Sequence, residues 1–192
     1  MRGAFRSRMR VIGGKAKGYQ LKAPKGSVTR PTIELVRGAI FSILESISSD
    51  WSRVLDLYAG SGALGIEAIS RGAAWVDFVE QEQRCCAIIR QNLKMTGLAE
   101  QGHVYCCSVA KALSFLSGRY SVILMDPPYS KTSLGKLLTE LSTSNLIGPG
   151  STLVASHSRH LNLSSNYGGL NLSNKRRHGD TCISVYRKED GS

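Results

Sequence analysis

Two short stretches carry the side chains best suited to chemistry. In the first, Asp56 precedes Gly60, Gly62 and Gly65, which have the spacing GxGxxG. Glycines let backbone approach a ligand closely, and a helix that follows offers unpaired N–H groups at its start. That spacing alone serves nicotinamide and flavin dinucleotides equally well. Asp56 changes the balance. A carboxylate beside the turn repels a pyrophosphate and suits a cation, such as the ammonium or sulfonium of S-adenosylmethionine. A plainer reading makes Asp56 a cap for the turn's own N–H groups. Tyr58 and Ser61 belong to the same turn. Glu80 ends the next apolar run, where a carboxylate can take both ribose hydroxyls or simply close a solvated strand. Ser108 follows the third run, placed to meet an adenine edge or to sit in an exposed loop.

The second stretch is Asp126-Pro127-Pro128-Tyr129. Asp126 can accept a hydrogen bond from an exocyclic amine and hold its lone pair toward a methyl donor. The Pro127 carbonyl is free for the second amine hydrogen, and two prolines stiffen the turn so that these acceptors reorganise little. Tyr129 offers a face on which a base can stack. Such an in-line displacement needs positioning and a dry pocket more than a strong base. A base inside a helix cannot reach this pocket, so the target must be flipped or unpaired. An ordinary Pro-Pro turn is the bland alternative, and coupling to the glycine turn argues against it.

These residues need a scaffold. Apolar runs at 54–58, 75–79, 103–106, 122–125 and 152–156 read as strands. Helical spacing marks 33–47, 63–70, 83–95, 110–116 and 133–141, with Thr32 as the N-cap of the first. Alternating strands and helices imply a parallel sheet covered on both faces. Two further strands, 168–172 and 181–187, close one edge antiparallel, and the Ser/Asn-rich region 156–174 is expected to be largely loop. Short apolar segments around glycines between Arg10 and Leu21 suggest a small β-hairpin. The expected organisation is an extension over 1–8, a basic hairpin and loop over 9–32, and one domain over 33–192. Met9 is a candidate natural start, with an organellar presequence left open.

The chain of 192 residues carries a formal charge of +11. This excess points to a polyanion, nucleic acid before a membrane surface. Residues 1–30 hold Arg2, Arg6, Arg8, Arg10, Lys15, Lys17, Lys22, Lys25 and Arg30 without an acid, and Lys175-Arg176-Arg177-His178 forms a second cluster. Five cysteines, an odd number with no CxxC, argue against a disulfide framework or a zinc site and for a reducing cytoplasm. No metal is expected. No apolar run approaches the roughly 20 residues of a membrane span.

The motifs resemble class I S-adenosylmethionine-dependent methyltransferases that modify base amines. Arg10-Val11-Ile12-Gly13-Gly14, Arg30-Pro31-Thr32, Val36-Arg37, Phe41, the run from Asp56 to Ala68, and Asp126 to Tyr129 are similar to the RsmD family, over roughly residues 9–188. That resemblance implies a Rossmann-like, mostly parallel seven-stranded sheet with an antiparallel edge. It implies methylation of a guanine N2 in 16S ribosomal RNA, within a small-subunit particle, by a cytoplasmic monomer. Asp56, Tyr58, Gly60, Ser61, Gly62, Glu80, Ser108 and Thr32 would then surround the cofactor, and Asp126, Pro127 and Tyr129 would hold the amine. Arg10, Lys15, Lys17 and Arg30 would meet RNA phosphates. Arg37 would lie behind the cofactor or form a structural ion pair, and Lys15 and Lys17 have a merely solvated alternative. Ser108 stands where many relatives carry an acid or amide, and the basic-glycine turn and aromatic strand near the C-terminus are only partly kept. Adenine-N6 methylation and a non-catalytic RNA-binding role on the same scaffold are the competing readings. A dinucleotide oxidoreductase explains neither Asp56 nor Asp126.

Overall fold

A computed structural model describes residues 9–24, 31–47, 50–128 and 133–189, without the side chains of residues 31–33. Its centre is an eight-stranded sheet in the order β3-β2-β1-β4-β5-β8-β7-β6. Five strands are mutually parallel: β1 (Arg53–Leu57), β2 (Trp75–Glu80), β3 (Gly102–Cys106), β4 (Val122–Met125) and β5 (Thr152–Ser158). The remaining β6 (Asn166–Tyr167), β7 (Leu170–His178) and β8 (Thr181–Lys188) join by antiparallel pairing.

The alternation of strand side chains builds two cores. Val54, Val122, Val154 and Ile183 face α1 (Pro31–Ser46), α2 (Ala63–Ser70) and α3 (Gln83–Met95), meeting Ile40, Ile66 and Ile89. Leu55, Ile123, Leu153 and Tyr186 face the opposite way, toward Ala112 of α4 (Val109–Leu113) and Leu138 of α5 (Leu134–Thr143). Helix α2 lies unusually close to β2. A Cβ on Gly65 would stand 2.3 Å from Phe78 Cε1 and 2.9 Å from Val76 Cγ1. Gly65→Ala should therefore destabilise the fold by about 1–3 kcal/mol through overpacking, read as a lower urea midpoint.

Several boundaries differ from expectation. The sheet has an eighth strand, the two-residue β6, and β5 and β7 extend into the region 156–174 that composition marks as loop. Backbone pairing needs no apolar side chain, so a polar edge strand leaves little trace in hydropathy. Helix α1 begins at Pro31, which suits a first turn that needs no N–H, so Thr32 lies inside the helix and not at its N-cap. Helix α4 spans Val109–Leu113, and Ser108 caps its start, its Oγ accepting the Lys111 N–H at 3.3 Å.

The N-terminal hairpin is a single bridge between Arg10 and Gln20, flanked by Val11 N–H to Tyr19 O at 2.9 Å and Leu21 N–H to Met9 O at 2.7 Å. It is stitched to the helices. Ser70 Oγ accepts the Ala16 N–H at 2.9 Å and donates to Gly13 O at 2.6 Å, while Glu67 accepts the Ile12 N–H at 2.9 Å. Among the described residues no helix is long and apolar enough to cross a membrane.

Candidate active site

Strand order reverses between β1 and β4, because β1 is followed outward by β2 on one side and by β4 on the other. The crossovers therefore diverge and leave a crevice at the carboxyl ends, the usual ligand position in open α/β sheets. A cavity of about 690 Å³ lies there, lined among others by Asp56, Tyr58, Gly60, Ser61, Asp126, Pro127, Ser156 and Thr181, with Arg37 of α1. Strand periodicity explains the gathering. Asp56, Asp126, Ser156 and Thr181 share the sheet face of Val54, Val122, Val154 and Ile183, on four neighbouring strands or their immediate continuations.

The chain leaves β1 through Tyr58, whose φ of 61° makes it the one non-glycine residue with positive φ among those described. That conformation costs about 1–2 kcal/mol and turns the backbone into the glycine segment. At Gly62, φ is 78° and a Cβ would sit 3.0 Å from Ile89 Cγ2, so glycine is required for both reasons. Asn92, fully buried on α3, donates to Ser61 O at 2.9 Å and to Lys22 O at 3.0 Å, joining this turn to the N-terminal segment.

Asp56 is buried, and its Oδ2 accepts the Gly65 N–H at 2.9 Å. The capping role is thus real, and Asp56 lines the crevice as well. Burial pushes its carboxyl up to about 7 against the opposing Gly65 hydrogen bond, with Asp126 and Glu80 adding to the rise. Glu80 accepts the Gly60 N–H at 2.8 Å and the Glu82 N–H at 2.8 Å, one with each oxygen. It braces the glycine turn from β2. Neither Glu80 nor Ser108 is part of the cavity lining.

Asp126 keeps open surface toward the crevice, yet most of its surroundings are protein. That recess raises its carboxyl to about 6, moderated by a hydrogen bond from Ser156. Pro127 is buried and Pro128 exposed at the rim. Tyr129, Arg30 and the Thr32 side chain lie outside the described residues.

Arg37 is only 2% exposed. Its Nε lies 3.6 Å from Glu67 Oε2 and its Nη2 donates to the Arg10 carbonyl, whereas Nε and Nη1 have no hydrogen-bond partner among the described residues. Burial lowers its pKa, against the pull of Glu67 and Glu34. The ion pair and the crevice position coexist.

Arg10 is exposed, 3.9 Å from Glu34. Lys15 lies elsewhere. Its N–H bonds Ser70 O at the far end of α2 and its ammonium bonds Gln101, just ahead of β3. Lys15, with exposed Lys17 one turn on, therefore occupies the amino edge of the sheet, away from the crevice. Ser156 and Thr181 are the site residues sequence reading missed. For Ser156 a signal existed: it has the parity of Val154 on an expected strand.

The fold and this crevice define a Rossmann-like methyltransferase of the S-adenosylmethionine-dependent class. The same fold occurs in an RNA methyltransferase from Salinibacter ruber solved with S-adenosyl-L-homocysteine, at 16% identity and TM-score 0.61 over 81% of this chain and 93% of that one, a likeness of fold alone. The chain belongs to the family described as Conserved hypothetical protein 95, the RsmD family, whose model matches residues 9–187. It is 37% identical to YlbH of Bacillus subtilis, provisionally named an rRNA methyltransferase, over 94% of this chain and 99% of the relative. It is 27% identical to Escherichia coli ribosomal RNA small subunit methyltransferase D, over 94% and 90%. A solved Escherichia coli structure, provisionally named methyltransferase yhhF, superposes with TM-score 0.82 at 25% identity over 96% and 99%.

Proposed function

We propose that the chain methylates the exocyclic N2 amine of a guanine in 16S ribosomal RNA with S-adenosylmethionine as donor, acting as a cytoplasmic monomer on a small-subunit particle. The observation that carries this reading is Asp126, held by Ser156 and facing the same crevice as Asp56 and the glycine turn. The residues fit the cofactor. Gly60 leaves room beside backbone, Asp56 suits its cationic end, and Arg37 at the cavity wall suits its carboxylate. When bound, S-adenosylmethionine supplies a methyl group activated by a sulfonium. Asp126 and the Pro127 carbonyl accept the two amine hydrogens and aim the nitrogen lone pair. The Asp126 carboxylate then takes the proton the alkylated nitrogen must lose, a task its raised pKa suits. Small-subunit RNA is supported by the relatives named for it, and guanine by the resemblance of the motifs between Arg10 and Tyr129 to the RsmD family, since acid-Pro-Pro-aromatic chemistry alone serves adenine N6 too.

The test incubates the protein with labelled donor and small-subunit particles lacking the modification, then identifies the nucleoside by mass. N2-methylguanosine is expected. N6-methyladenosine would replace the base assignment, and no label in RNA would refute RNA methylation.

The carboxylate form of Asp126 is the accepting form. Turnover should therefore fall as pH drops through about 6, tenfold per unit well below it, in a single-turnover pH profile. Stability runs the other way. Asp56 and Asp126 have folded pKa values above their ordinary ones, so the stability they contribute is present in acid and lost as pH rises through about 6 to 7.

A further inference from the structure

The basic cluster near the C-terminus sits at the mouth of this crevice. Gly179, Asp180 and Thr181, the turn between β7 and β8, line the cavity, and Thr181 pairs with Ser158 at the end of β5. Lys175, Arg176 and Arg177, just ahead of that turn, are all exposed. Among the described residues none of the three has a carboxylate within ion-pair distance, and the one acid in the turn, Asp180, is paired with Arg159 at 3.3 Å. Their strand is a sheet edge there, because β6 pairs only with Leu170 and Asn171. Arg176 is opposite Ile183 and so points to the α1 face, whereas Lys175 and Arg177, opposite Ser184 and Cys182, point to the other. Three cations without a carboxylate partner among the described residues, Arg177 donating its Nε–H to the Gly179 carbonyl at 2.9 Å, thus straddle a free edge that runs to the crevice.

Cations on an edge strand can also serve only to block unwanted strand pairing. That role would spread them along the edge. Here they are confined to the crevice half of the free edge, and Leu172, Ser173 and Asn174, its other half, contain none. We propose that this β7 edge is where the sugar–phosphate backbone of the substrate RNA docks, with the target base turned from it into the crevice. The proposal rests on the RNA-methylation reading. It also sets the RNA across the antiparallel end of the sheet, remote from Lys15 and Lys17 at the amino edge.

The experiment measures kcat and KM for methylation of 16S RNA, naked and in small-subunit particles, across a salt series. The triple variant K175A/R176A/R177A should raise KM, keep kcat and S-adenosylmethionine affinity within about twofold, and flatten the log–log salt slope by roughly 2 units. R176K/R177K, which keeps the charges, should restore most of the slope. An unchanged slope in the triple variant overturns the proposal, all the more if that variant self-associates in sedimentation, as an unguarded edge would. A slope change on particles but not on naked RNA overturns it in favour of a protein partner. A larger flattening with K15A/K17A overturns it in favour of the amino edge. Wild-type protein that takes up S-adenosylmethionine but labels no ribosomal RNA refutes the function itself and this surface with it, whereas active wild type with an insensitive hairpin refutes the surface alone.

Discussion

Asp126→Ala is expected to lose about 100-fold or more in turnover while S-adenosylmethionine affinity, measured by calorimetry, stays nearly unchanged. The variant removes the acceptor aimed at the amine and the group that takes its proton. It leaves Asp56, the glycine turn and Arg37 untouched. The Ser156 hydroxyl loses one partner while the exposed Asp126 position itself lies at the crevice, so the fold should survive. Asp126→Asn separates the two roles: its carbonyl can still accept a hydrogen bond but cannot take a proton, so it should fall between the wild type and the alanine variant. Equal turnover in wild type and Asp126→Ala would remove this residue from the chemistry.

Glu67→Ala should produce the largest loss of stability, about 3–5 kcal/mol in urea unfolding, because it leaves buried charge without compensation. Glu67 is 0% exposed on α2. It accepts the Arg71 Nε–H at 2.8 Å and the Ile12 N–H at 2.9 Å, and lies 3.6 Å from Arg37 Nε. Arg37 is as deeply buried and has two nitrogens without hydrogen-bond partners among the described residues. Removing the carboxylate would strand that guanidinium beside the crevice and release the hairpin strand at Ile12. Glu67→Gln keeps the shape and an acceptor and should lose less. A midpoint shift below 1 kcal/mol for Glu67→Ala would show that water or rearrangement replaces the pair.

Much of this site is legible in the chain because its parts are local. The glycine turn, its preceding acid and the Asp-Pro-Pro segment are contiguous, and strand and helix periods put each at a strand tip. Helix α3 carries its bounds in plain amphipathic spacing, whereas α2, buried all round from Gly65 to Ser70, is marked by the glycine turn that opens it. The rest depends on neighbours distant in sequence. Ser156 matters only because β5 lies beside β4, and Glu67 meets Arg37 only after α2 packs near α1. Lys15 looks like any basic hairpin residue until Ser70 and Gln101 fix it to the amino edge. The two-residue β6 has no hydropathy signature at all, since it exists by pairing with β7.

The insertion of β8 between β5 and β7 has a consequence for biogenesis. A ribosome makes the chain from its N-terminus, so β6 and β7 are synthesised before the strand that must separate them from β5. The wall of the crevice contributed by Thr181 therefore closes only when translation has passed residue 188, and a nascent chain stalled earlier holds its glycine turn and Asp126 in an unfinished enzyme.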